Sequence, residues 1–216
     1  MKTRVQNSSG LTLIEAMIVV AIIAVLVAML LPDLSRPRAR AKRINCVNNL
    51  KQVGLSYRQW ALDHHNNYPM QLSITNGGAM EWAAQGIAWP AYQVMSNELS
   101  TPKILVCPAD KPRKSASSFN QRTNAANLSY FIGVDAHSQA PQMFLSGDSN
   151  LEINRARLRS GIVTLLTNRL VGWSDEVHQK QGNVGLADGS VQGFSTSRMR
   201  DALVYTGDTT NRIILP

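Results

Sequence analysis

A chain of 216 residues with 44% hydrophobic content, two cysteines and a formal charge of +8 fits one domain, or one domain plus an anchoring segment. The charge does not make it a nucleic-acid binder. Lys2 and Arg4 lie in the first ten residues and five more bases in the run Arg36, Arg38, Arg40, Lys42 and Arg43, so that from Ile44 onward fifteen Lys/Arg face twelve Asp/Glu, about +3. That run suits anionic headgroups or a neighbouring subunit's acids better than DNA.

Residues 1–10 are polar and basic and end in Gly10. A secretory signal is cut after its apolar core, at a small-residue site. Here the evident cut point, between Gly10 and Leu11, precedes the core, so residues 1–10 read as a leader and the apolar stretch stays with the mature chain. From Leu13 to Leu31 the only ionisable side chain is Glu15. A helix over residues 11–31, rising about 1.5 Å per residue, nearly spans a hydrocarbon core of about 30 Å and is expected to cross a membrane. The five-base run would place its own side in the cytoplasm by the positive-inside tendency. The cleavage site and the cysteines point the other way, and a cytoplasmic leader is the reading taken.

Glu15 is costly inside a bilayer and calls for a partner. Cleavage after Gly10 would create one, the α-amine of Leu11 on a neighbouring copy. Thr12-x-x-Glu15 also fits a capping box that serves the helix's own first N–H groups, and the two readings coexist. Pro32 predicts a kink or break. Residues 32–65 read as an amphipathic helix extension in which helical periodicity resumes after Pro37, with Ile44, Val47, Leu50, Gly54, Tyr57 and Ala61 forming one apolar face. Gly54 on that face admits close approach of another element. Turn-formers at Asp63-His64-His65-Asn66-Asn67 and then Pro69 end the helix.

Residues 66–216 read as a globular head. Short apolar or alternating runs at 103–107, 128–134, 143–145, 161–166, 182–187 and 190–194 predict strands, the last two joined by Asp188-Gly189 as a type I′ hairpin. The fold class is therefore α+β: a long N-terminal helix, membrane-spanning in its first half, packed on a small antiparallel β-sheet head. Cys46 and Cys107 are a candidate disulfide if the head is exported, and two buried free thiols otherwise.

His178 with Asp188-Gly189 could suggest a metal or acid–base pair. No nucleophile or third ligand stands at fitting spacing, and a hairpin turn with His178 bonded to a nearby loop accounts for them. His64-His65 reads as a loop, and Trp60, Trp82, Trp89 and Trp173 as core and edge packing. Phosphate loops, G-x-S-x-G, CxxC pairs and HExxH are absent from the sequence. No enzyme, catalytic residue, metal or cofactor is expected.

Ser9-Gly10-Leu11-Thr12-Leu13-Ile14-Glu15, the apolar run behind it and Pro32-x-Leu34 resemble the N-terminal signature of type IV pilins and type II secretion pseudopilins. Residues 43–52, Cys107-Pro108-Ala109-Asp110, and His178 followed by Asp188-Gly189 at His-x9-Asp-Gly spacing are similar to a pseudopilin-like subfamily. The resemblance implies that a prepilin peptidase cuts between Gly10 and Leu11 and methylates the Leu11 amine. Glu15 would guide docking into a helical filament built by self-assembly with pilin-like subunits. An inner-membrane platform protein and an assembly ATPase would drive it. The leader would be cytoplasmic, the single-pass helix in inner-membrane lipid, and the head periplasmic or extracellular. Leu11 replaces the commoner Phe or Met, and no pseudopilin-type calcium loop is recognised, so bound calcium is left open. The expected function is a pseudopilin of a type II secretion-type system. The alternatives are a surface type IV pilus or DNA-uptake pilin, and an anchored binding domain that does not polymerise.

Overall fold

The computed structural model describes residues 12–30, 35–120 and 125–216. The chain divides into two compact units, one through Arg40 and the other Ala41–Pro216. The first contains α1 (Leu13–Leu30) and the start of α2 (Ser35–Asp63). Every large apolar side chain of α1 from Leu13 to Val27 is exposed, from 79% at Leu13 to 47% at Val27. A helix apolar on all sides needs cover to be stable. Its 18 residues rise about 27 Å. Among the described residues, no helix is long and apolar enough to cross a membrane. The expected span of residues 11–31 includes Leu11 and Leu31, which lie outside the described residues, as does Pro32.

In the second unit, α2 is followed by α3 (Met80–Ala84), α4 (Trp89–Val94) and α5 (Ser96–Leu99). Strands β1 (Tyr130–Gly133), β2 (Phe144–Asp148), β3 (Leu151–Ile153), β4 (Ala156–Arg157), β5 (Gly161–Thr164), β6 (Val171–Trp173), β7 (Gln181–Leu186) and β8 (Val191–Ser195) come next. Helix α6 (Thr196–Tyr205) and β9 (Arg212–Leu215) complete the chain. The strands form two antiparallel sheets, one of six in the order β5-β9-β1-β2-β7-β8 and one of three in the order β4-β3-β6. The α+β architecture stands, with a larger strand set than the sequence suggested.

The six-stranded sheet is covered on both faces. Ile132 and Ile214 join Tyr57, Tyr92 and Leu105 in one core, under α2, α4 and neighbouring turns. Their neighbours Phe131 and Ile213 join Trp173, Met199 and Leu203 in a second core, against the small sheet and α6. Adjacent strand residues point to opposite faces, so β1 is buried at all four positions.

The buried stripe of α2 runs Cys46, Leu50, Val53, Tyr57, Trp60 and Ala61. The expected stripe holds from Leu50 onward, but Ile44 is 53% exposed. The helix is phased by Cys46, which is bonded to Cys107, rather than by the larger hydrocarbon. Residues 103–107, expected as a strand, instead begin with a 3-10 turn, Pro102–Leu105. Pro102 supplies the fixed φ of a first helical position, and the Thr101 hydroxyl accepts the Lys103 N–H at 3.4 Å.

The β7–β8 hairpin exists but is not type I′. That turn needs positive φ at both central residues, and only Gly189, at +85°, has it. The Gly189 N–H donates to the Leu186 carbonyl at 2.9 Å, and the Leu186 N–H to the Ser190 carbonyl at 2.8 Å, which makes a three-residue loop with a glycine bulge. The Ala187 and Asp188 N–H groups are taken by the carbonyls of Met143 and Pro141, which fixes the loop away from the tighter form.

Gly54 faces this loop. A Cβ placed on it would stand 3.5 Å from Gly189 Cα, ordinary contact with nothing to spare. Gly54→Ala is therefore expected to be neutral or stabilising by up to about 1 kcal/mol, from helix propensity. Gly54→Leu is expected to destabilise by about 1–3 kcal/mol by pushing the loop off the helix. Urea midpoints of the two variants check this, and equal losses for both would refute the close fit.

Candidate functional site

Two places gather the residues that the sequence singled out. The first is the start of α1. The Thr12 N–H and hydroxyl both donate to Glu15 Oε2, at 2.8 and 2.7 Å, and the Glu15 N–H points back to Thr12 Oγ1 at 3.4 Å. This is a reciprocal capping box, and it uses one carboxylate oxygen for both Thr12 donors. Gly10 and Leu11 lie outside the described residues.

The second lies in the head. The Cys46–Cys107 disulfide joins α2 to the segment after the 3-10 turn, with a Cα–Cα distance of 5.1 Å. Asn49, one turn along α2 from Cys46, donates its Nδ2 to the Val106 carbonyl at 3.1 Å. The Ser129 N–H donates to the Leu105 carbonyl at 2.9 Å, pinning the same segment beside β1.

His178 lies against the disulfide, with Nε2 3.5 Å from Cys107 Sγ and 3.4 Å from Asp148 Oδ2. Asp148 ends β2, and its Oδ2 accepts the Asn183 N–H at 2.7 Å and the Asn183 Nδ2 at 2.8 Å. Asn183 in turn accepts Arg43 Nε at 3.3 Å through its Oδ1, and Arg43 also donates to Gln181. Asp148 Oδ1 is buried, with no hydrogen-bond partner among the described residues.

The sequence offered no third ligand for His178. The fold supplies three candidates, Cys46, Cys107 and Asp148, all buried, with one ligand atom of each within 4.8 Å of the others and of His178. Their separations along the chain are too long for any spacing motif to reveal, and Asp148 carried no signal at all. Arg43, read as part of the basic run, is half-buried and belongs to this cluster.

Asp188 and Gly189 do not join His178. They sit at the far end of β7, where Arg58 Nη1 donates to the Asp188 carbonyl at 2.7 Å and Asp188 Oδ1 accepts the Ser190 N–H at 2.8 Å. His64 stacks on Trp60 with ring centroids 3.6 Å apart, while His65 is exposed with φ of 55°. The two histidines splay apart, which leaves no chelating pair.

Burial pushes the Asp148 carboxyl up to about 7, against the Asn183 hydrogen bonds and the Arg43 charge, which favour its ionised form. Burial also pushes His178 down to about 4, and Arg43 adds to that. The two titrations act on stability with opposite signs. The Asp148 contribution is present below its ordinary carboxylate range and is lost as pH rises to about 7. The His178 contribution is present above about 6.5 and is lost as pH falls to about 4. They offset each other between those limits. Asp148→Asn leaves the histidine alone, so the variant's stability is expected to rise from pH 4 to 6.5, by at most about 1.4 kcal/mol per pH unit. Urea midpoints across that range check it, and a slope no steeper than the parent's would refute it.

Residues 5–31 match the family model described as the prokaryotic N-terminal methylation motif. The match supports a prepilin-processed, type IV pilin-like subunit that assembles with others of its kind. No curated protein and no solved structure matches the chain.

Proposed function

We propose that this chain is a structural, non-enzymatic subunit of a type II secretion-type pseudopilus. Prepilin peptidase cuts it between Gly10 and Leu11 and methylates the Leu11 amine. Residues 11–31 hold it in the inner membrane, with the leader cytoplasmic and the disulfide-closed head outside. A platform protein and an assembly ATPase then drive its polymerisation. The observation that carries this reading is the methylation-motif match over residues 5–31, which coincides with a helix whose large apolar side chains are exposed. Lipid covers such a helix before assembly and neighbouring helices cover it after.

On the outer face of α2, Ile44, Leu55 and Leu62 are 53%, 64% and 76% exposed, which supports lateral packing between subunits beyond the bilayer. The small surplus charge of the head argues against a DNA-uptake role. N-terminal sequencing and mass spectrometry of the protein from its own membranes test the proposal. The expected mature chain begins at methylated Leu11. A chain that still begins at Met1 overturns the reading and favours an anchored domain that does not polymerise.

A further inference from the structure

The cluster around the disulfide is unusual in what it sets against sulfur. A disulfide needs no polar neighbours, yet a buried imidazole and a buried carboxylate face this one. Among the described residues, His178 Nε2 has long contacts, 3.5 Å to Cys107 Sγ and 3.4 Å to Asp148 Oδ2, and Asp148 Oδ1 has no partner. Buried polar atoms left this way cost stability unless something else satisfies them. We infer that, once its cysteines are reduced, the head binds one divalent cation of the zinc class. Its ligands are Cys46 Sγ, Cys107 Sγ, His178 Nε2 and a carboxylate oxygen of Asp148, so that metal and disulfide are alternative closures of one cluster.

The geometry fits. In a tetrahedral site with bonds of about 2.0–2.3 Å, ligand atoms stand roughly 3.3–3.8 Å from one another. The four ligand atoms here lie within 4.8 Å, with the imidazole already at 3.4 and 3.5 Å from its neighbours. Two thiolates and an imidazole favour zinc over calcium or magnesium. The surroundings fit as well. Asn183 holds the Asp148 carboxylate through two hydrogen bonds, and Arg43 holds Asn183. Such outer contacts orient metal ligands. Two thiolates and a carboxylate around a dication leave one negative charge, which the Arg43 guanidinium balances.

The exchange is balanced. A dithiol reductant attacks the disulfide, and two successive thiol–disulfide exchanges break the S–S bond, form two thiols and close the donor to its own disulfide. Cation binding then releases both thiol protons to solvent. All four ligands come from separate stretches of chain, so the site exists only in the folded head.

The test uses the full-length chain in detergent, reduced with a phosphine that is then removed, and titrated anaerobically with cobalt(II) and then zinc. The expected result is one cobalt per chain, a thiolate-to-cobalt charge-transfer band, release of at least two protons, and displacement of the cobalt by zinc. The oxidised chain should show none of this. His178→Ala and Asp148→Asn should each weaken zinc binding at least about tenfold while keeping the band, because losing a direct ligand costs no less than losing a contact that orients one. A reduced parent chain without the band overturns the inference, whether it is folded or is unfolded and not refolded by zinc. Unchanged zinc affinity in both variants overturns it too, because the thiols alone would then account for binding.

Discussion

Replacing Cys46 and Cys107 together by alanine is expected to lower the stability of the oxidised protein by about 4 kcal/mol. The bond closes a loop with a sequence separation of 61 residues. Removing it returns loop-closure freedom to the unfolded chain, and a loop of this length corresponds to about 4 kcal/mol in the chain-entropy account. For a chain of this size, each kcal/mol shifts the melting temperature by about 2–4 °C, so the transition should fall by roughly 10 °C. Reductant added to the parent in the absence of metal should give a similar fall, because it breaks the same link. Thermal unfolding followed by circular dichroism, with and without reductant, reads both. A fall of only a degree or two would mean that packing of α2 on the sheet already restrains the unfolded chain or dominates the folded one. The size of the effect also matters for the metal: domains are stable by about 5–15 kcal/mol, so the reduced head can stay folded enough to hold a cation.

Glu15→Leu is expected to be cut and inserted normally but to drop out of filaments. On the proposed reading, cleavage exposes an α-amine to which lipid offers no water, and an unpaired charge at that depth costs about 3 kcal/mol or more. Loss of its counter-ion would weaken each addition step about a hundredfold. Thr12→Ala separates this role from capping. The structure gives Glu15 Oε2 both the Thr12 N–H, which alanine keeps, and the Thr12 hydroxyl, which alanine loses along with the acceptor for the Glu15 N–H. If Glu15 acts only through the cap, Thr12→Ala, which removes the hydroxyl half of it, loses a clear share of filaments too. If it pairs with a neighbour's amine, Thr12→Ala still assembles. Filament yield by electron microscopy, beside gel mobility for processing, distinguishes the outcomes.

What the sequence could show was local. The apolar helix, the amphipathic face from Leu50 to Ala61 and the β7–β8 hairpin are each encoded by residues a few positions apart. The phase error at Ile44 arose because a bonded cysteine outranks an isoleucine, and covalent partners are not visible in periodicity. Residues 103–107 misled because a short apolar run fits a buried turn as well as a strand, and Pro102 decided between them. Strands β3, β4, β6 and β9 and helices α3, α4, α5 and α6 were missed; β6 and β9 are mostly or wholly buried, which erases the alternation that marks a strand. Asp148 was invisible for another reason. Its meaning depends on Cys46, Cys107 and His178, and only the closed sheet brings them together.

The two ends of the segment from His178 to Gly189 are moored to the same helix. One end meets it through the Cys46 disulfide, and the other through Gly54 and Arg58, two to three turns further on. Strand β7 between them acts as a ruler whose length must match that stretch of helix. One residue more or fewer within it would turn its side chains inside out and leave either the imidazole or the hairpin adrift. The nine-residue interval is thus a dimension of the scaffold, fixed in length by its two moorings and in content by the buried residues of β7.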